Sequence, residues 1–179
     1  MFDIVYYGDP ILRKKAKPVT VFDDVLRALV DGMKETMVEY DGLGLAAPQV
    51  GRSMQVVIID ATKGEKPPYV LINPEFTFLS KDEVEREEGC LSFPEIHLNI
   101  TRPAIVSVKA FDEFGKPFAL ENTDDILARA LQHEIDHLNG ILIIDHISVI
   151  QRKMLSGRLK KISNSPQPGP VRAAKAQAD

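Results

Sequence analysis

The chain has a single cysteine, Cys90, so no intramolecular disulfide can form, and an unpaired thiol suits a reducing cytosol. A disulfide-stapled scaffold is excluded. It also lacks an apolar run long enough to span a bilayer, and Met1-Phe2-Asp3-Ile4 lacks the basic stretch, apolar run and cleavage site that open a secretory signal. A cytoplasmic location with no membrane partner is expected. No charge of one sign dominates: 22 Lys and Arg against 26 Asp and Glu leave a formal charge of −4, which argues against broad nucleic-acid binding. Internal repeats are absent too. What is present is 179 residues, 44% of them hydrophobic, enough to bury one core.

Histidine is scarce, yet two of the four sit in His133-Glu134-Ile135-Asp136-His137, an H-E-x-x-H box inside a helical pattern. Residues four apart on an α-helix lie ~6 Å along the axis and ~40° around it, so both imidazoles reach one metal ion while Glu134 stands beside its open coordination position. This is metal-hydrolase chemistry, with Glu134 as general base. Two surface histidines on an amphipathic helix are the bland alternative.

Catalytic metal sites usually take three protein ligands, so a third must be found. The downstream supply is poor: the longer box H-E-x-x-H-x-x-G-x-x-H would need its third histidine at Ile143, His146 falls three residues late, and no glutamate follows Glu134. Upstream stands Cys90, in Glu88-Gly89-Cys90-Leu91-Ser92. A lone cysteine reads first as a small buried hydrophobe. Beside two histidines that lack a partner, it completes a ligand set suited to zinc or ferrous iron.

A third segment, Gly42-Leu43-Gly44-Leu45-Ala46-Ala47-Pro48-Gln49, looks like the G-x-G-x-x-A phosphate loop of a dinucleotide fold but has the wrong context. No strand precedes it, and the four residues before Met54 leave no room for a helix. Its glycines let backbone approach a substrate closely, and Gln49 offers a side-chain amide to a developing oxyanion. Taken alone, it reads as a turn.

Together the three segments resemble the signature motifs of the peptide deformylase family. Residues 42 to 49, 88 to 92 and 132 to 137 match without departure, Gly8-Asp9-Pro10-Ile11-Leu12-Arg13 is similar to the family's opening, and the likeness covers about residues 1 to 160. The resemblance implies a hydrolase that removes the formyl group from the N-terminal formylmethionine of nascent polypeptides and releases formate. Cys90, His133 and His137 would then hold one divalent metal. Affinity alone would favour zinc, whereas the resemblance puts ferrous iron (Fe2+) first, with zinc (Zn2+), nickel (Ni2+) or cobalt (Co2+) able to enter. It further implies catalytic roles for Glu134, the Gln49 amide and the Leu91 backbone N–H, with extended substrate against Leu43, Gly44 and Gly89. A Glu88–Arg102 pair and ribosome docking through a basic C-terminal helix are also implied.

The expected fold class is α+β: a single domain of antiparallel or mixed strands packed around the central H-E-x-x-H helix, with a C-terminal helix. Val25, Leu26, Leu29, Val30, Met33 and Met37 predict a core-facing helix over 23 to 40. Strands are predicted at 54 to 60, 69 to 73, 104 to 111 and 117 to 120, with a hairpin turn at Phe114-Gly115. Thr123 is the expected cap of the metal-binding helix, whose stripe is Ile126, Leu127, Ala130, Leu131 and Ile135. A last helix over 148 to 163 carries Arg152, Lys153, Arg158, Lys160 and Lys161. The catalytic domain is expected to span 1 to 163, and 164 to 179, rich in Pro, Ala, Gly and Gln, to be a disordered tail. His97 and His146 read as ordinary surface residues, and Asp136 as a structural hydrogen-bond partner.

Two rivals stand beside this reading. An H-E-x-x-H metallopeptidase shares the box but should draw its third ligand from beyond the helix, and a non-catalytic metal-binding module would need a closed fourth position and no use for Glu134 or Gln49.

Overall fold

Helix α1, Asp24–Glu39, begins where the Asp23 side chain accepts the Leu26 N–H at 3.0 Å and so satisfies one of the free donors of the first turn. In this computed structural model, which describes residues 1–165, its buried stripe is Leu26, Leu29, Val30, Met33 and Met37. Val25, counted in that stripe from sequence, faces solvent at 76% exposure. It sits one residue outside the apolar arc.

The strands that follow are β1 (Gly44–Ala46), β2 (Val56–Ile59), β3 (Tyr69–Leu79), β4 (Glu83–Gly89), β5 (His97–Pro103), β6 (Val106–Phe111) and β7 (Pro117–Thr123). Five form one antiparallel sheet in the order β1-β2-β3-β6-β7, and β4 pairs with β5 in a separate ribbon. The helix that carries the H-E-x-x-H box is α2, Asp125–Leu138; the chain then runs through α3 (Val149–Met154) and α4 (Ser156–Ser163).

Both faces of the main sheet are covered, which explains the unbroken apolar run Val56-Val57-Ile58-Ile59. Val56 and Ile58 pack with α1, while Val57, Ile59 and Leu71 pack with Leu131, Ile135 and Leu138 of α2. Each such fully buried side chain stabilises the fold by ~2 kcal/mol against exposure. A third cluster sets Leu12, Phe93, Ile100, Ile143 and Leu159 together and moors α4 against the ribbon.

Several predicted elements shift. The segment read as a turn at Gly42–Gln49 is instead edge strand β1 followed by a 3-10 turn over Ala47–Val50 with Pro48 in its second position. Strand β3 runs past Asn73-Pro74, where the apolar pattern stops: Asn73 sits at φ 51°, the register slips there, and its amide holds Val19 by two 2.8 Å bonds. Thr123 closes β7 and donates to the Val106 carbonyl at 2.8 Å, so the helix cap moves to Asp124. Ile126, placed in the α2 stripe, is 39% exposed, and Ala128 and Leu138 take buried places. The last helix is two helices, broken at Leu155. Of the expected tail, residues 166–179 lie outside the described residues.

Candidate metal centre

Helix α2 carries His133 and His137 on one face, their rings 5.1 Å apart, and the chain leaving β4 brings Cys90 against them. Cys90 Sγ lies 3.3 Å from His137 Nε2, and one donor atom from each of the three residues falls within 4.8 Å of the others. A tetrahedral ion with ordinary sulfur and nitrogen bond lengths would set those two atoms ~3.6 Å apart. Three soft or borderline donors converging this closely fit a divalent transition metal.

His133 is aimed from behind. Its Nδ1 lies 3.0 Å from Glu88 Oε2, leaving Nε2 for the ligand position. Glu88 in turn accepts from Arg102 at 2.7 and 3.0 Å and from Arg129 at 2.9 Å, and Arg102 reaches Asp136 at 2.7 Å. Burial alone would raise the Glu88 pKa; hydrogen bonds and charge from His133 and Arg102 outweigh it and hold the carboxyl well below the usual range. Burial likewise opposes charging His133, but its bonds to Cys90 and Glu88 hold its pKa above the ordinary value. His137, buried and facing the charges of His133 and Arg102, is held well below.

Glu134 lives in the opposite environment. It is 4% exposed, its Oε2 has no hydrogen-bond partner among the described residues, and burial pushes its pKa up to about 7, with the His133 charge opposing and Glu88 adding. A buried, unpartnered carboxylate oxygen is costly unless a ligand or water meets it. Its other wall is Gly44, where an added Cβ would stand 2.6 Å from Glu134 Oε1. Only a residue without a side chain fits there.

Gln49 is 1% exposed and its amide is oriented by one firm bond, Oε1 accepting from the Ala46 N–H at 2.8 Å. Nε2 is thereby turned toward Cys90 Sγ at 3.6 Å and Ser92 Oγ at 3.5 Å. Leu43, Gly44, Gly89 and Leu91 line the same cleft of about 590 Å³, which Glu134 and His133 floor. All nine residues singled out from sequence therefore meet in or beside one cleft.

His97 and His146 are exposed, as read from sequence, yet neither is isolated. His97, paired with Gly89 across the ribbon, lines the cleft, and His146 Nε2 lies 2.7 Å from Asp136 Oδ2. Arg129 was missed altogether. It stands one helical turn before His133, and a cation on the buried face of that helix was the available signal.

With this geometry in place, comparison with known proteins is direct. The polypeptide deformylase family model matches residues 1–153. The chain belongs to the polypeptide deformylase family. A Thermotoga peptide deformylase (strain RQ2) is 46% identical over 92% of this chain and 98% of its own, and one from Pseudomonas aeruginosa 44% identical over 90% and 95%. A solved peptide deformylase from Legionella pneumophila superposes with TM-score 0.86 at 42% identity, covering 94% of this chain and 99% of that one. The Synechococcus elongatus peptide deformylase, solved with actinonin, gives 0.83 at 44%, covering 89% and 86%. The α+β fold is thus the deformylase fold, and the chain is an enzyme of deformylase type. The rival binding-module reading falls with it. Among the described residues no helix is long and apolar enough to cross a membrane.

Proposed function

We propose that this deformylase hydrolyses the formyl group from the N-terminal formylmethionine of nascent polypeptides and releases formate. The observation that carries the reading is Glu134: a buried carboxylate with an unpartnered oxygen, set beside three converging metal-type donors at the floor of an open cleft. Cys90, His133 and His137 would hold the cation, ferrous iron by family likeness, with zinc, nickel or cobalt also suited to the donors. When bound, such an ion supplies Lewis acidity to the carbonyl and acidifies water.

Glu134 takes the proton of the attacking water as its oxygen bonds to the formyl carbon. The same carboxyl then delivers that proton to the departing amine as the carbon–nitrogen bond breaks. Gln49 Nε2 and the Leu91 N–H donate to the developing oxyanion, each such donor contributing ~3 kcal/mol. The substrate backbone lies extended along Leu43, Gly44 and Gly89, where the two glycines permit close approach.

The catalytic unit is residues 1 to 163, and residues 164 to 179 take no catalytic part. A ribosome contact through Arg152, Lys153, Arg158, Lys160 and Lys161 is part of the proposal, as is action in the cytoplasm. The deciding assay is formate release from a formyl-methionyl tripeptide by protein purified without oxygen. Formate with an intact peptide bond supports the reading; cleavage of the peptide bond instead would restore the metallopeptidase rival, and no formate with any of the four metals would overturn the proposal.

A further inference from the structure

An unbroken series of hydrogen bonds joins the surface to the back of His133. His146 Nε2 and Arg102 Nη1 both approach Asp136 Oδ2, each at 2.7 Å, and the Arg102 fork continues to Glu88 and so to His133 Nδ1. We infer that His146 is a positioning residue for His133, acting through Asp136, Arg102 and Glu88 to hold that imidazole in its ligand orientation. The inference rests on the metal-centre reading above.

The two oxygens of Glu88 are not equivalent. Oε1 accepts from Arg102 Nε and from Arg129, and is held twice over. Oε2, the oxygen that faces His133, takes its only guanidinium bond among the described residues from Arg102 Nη2 at 3.0 Å. The aim of Oε2 therefore depends on the tilt of the Arg102 plane. That plane is fixed at its far side by Asp136, whose side chain is 20% exposed and thus, behind His146, the member of the series most open to water. A carboxylate left partly solvated turns to share itself with water; the imidazole nitrogen 2.7 Å from Oδ2 holds it in place within a cluster of two guanidinium and two carboxylate groups.

His146 is suited to that task. It follows a 3-10 turn, Ile143–Asp145, whose Ile143 and Ile144 are buried, so its backbone is anchored. Its own side chain is 28% exposed, so truncation opens no core cavity. The competing account is a plain tether of this turn to α2, which would show in folding stability alone.

Cobalt separates the two. Full-length wild type, His146→Ala and His146→Gln are loaded with Co2+, the thiolate-to-cobalt absorption is recorded, and loss of the ion to excess chelator is timed; thermal midpoints of the metal-free proteins are measured alongside. His146→Ala should shift the absorption and release cobalt ~3- to 10-fold faster, less than the ~10- to 100-fold typical of a partner placed directly on a ligand. His146→Gln, which keeps an N–H for Asp136, should return both readings close to wild type. Unchanged absorption and release in His146→Ala with a lowered midpoint would overturn the inference in favour of the tether, and so would equal loss in both variants. A wild type that takes up no cobalt would overturn the metal-centre reading itself, and this inference with it.

Discussion

Gly44→Ala tests the site with the smallest possible perturbation, one methyl group. The new Cβ would stand 2.6 Å from Glu134 Oε1, 2.9 Å from its Cγ and 3.0 Å from its Cδ. Comfortable separation is ~3.5 Å, so the carboxyl must retreat by ~0.9 Å or the edge strand must move. Strand β1 is pinned to β2 through Gly44, Leu45 and Ala46, and all three are buried, so the side chain is the part that yields. A misplacement of ~1 Å in a reacting group costs ~100-fold, equivalent to ~2.7 kcal/mol in the barrier. Turnover of a formyl-methionyl peptide by Gly44→Ala should therefore fall by ~30- to 100-fold. Metal content, read by elemental analysis, should not change, because the three atoms nearest the added methyl all belong to Glu134 and none to Cys90, His133 or His137. Turnover within twofold of wild type would refute the reasoning. A loss of metal in step with activity would show that Gly44 shapes the ligand set rather than the carboxylate.

Other perturbations act at separate points. Glu134→Gln removes the proton acceptor but no ligand, so it should keep its metal and lose nearly all turnover, whereas Cys90→Ala should fail elemental analysis for the metal as well. Gln49→Leu should lower kcat by ~100-fold with KM little changed, and a defect confined to KM would move Gln49 from oxyanion stabilisation to substrate binding. Asp145 is opposed by burial but paired with Arg13 and the Leu142 N–H, which together hold its carboxyl below the usual range. A depressed folded pKa contributes stability that is present above the unfolded value and lost as pH falls through the folded one. Asp145→Asn should thus weaken resistance to urea near about pH 7 and make no difference near about pH 2; an equal deficit at both would refute the linkage.

How much of this was written in the sequence follows from which signals repeat locally. The ligand helix was legible because two histidines and a glutamate at helical spacing leave few other meanings, and α1 because its apolar stripe recurs every three to four residues. Strands β4 and β5 were not, since Glu83-Val84-Glu85-Arg86-Glu87-Glu88-Gly89 lies mostly in solvent and carries no apolar alternation. Only Glu88 is buried there, and what buries it is Arg102 on the paired strand and Arg129 on α2, contacts between distant parts of the chain. The extension of β3 beyond Asn73-Pro74 was hidden for a related reason. Proline marks a strand end unless a bulge absorbs it, and the bulge is held by Val19, from a segment before α1.

The two buried glutamates of the site show how one fold assigns opposite tasks to the same side chain. Glu88 and Glu134 differ little in exposure, at 5% and 4%, so burial alone cannot set them apart. The difference is in partners. Glu88 is surrounded by two guanidinium groups and the His133 N–H, stays charged, and is fixed in place as a support. Glu134 has an oxygen with no donor among the described residues, so desolvation dominates and lifts its pKa to about 7, where gaining and losing a proton cost nearly the same. A cation on the adjacent ligands would draw that value down again, toward a base that is ionised before water attacks. A support needs a charge that never leaves, and a proton shuttle needs one that can; the arginines bonded to Glu88 supply the first condition, and the lack of a hydrogen-bond donor on Glu134 Oε2 among the described residues supplies the second.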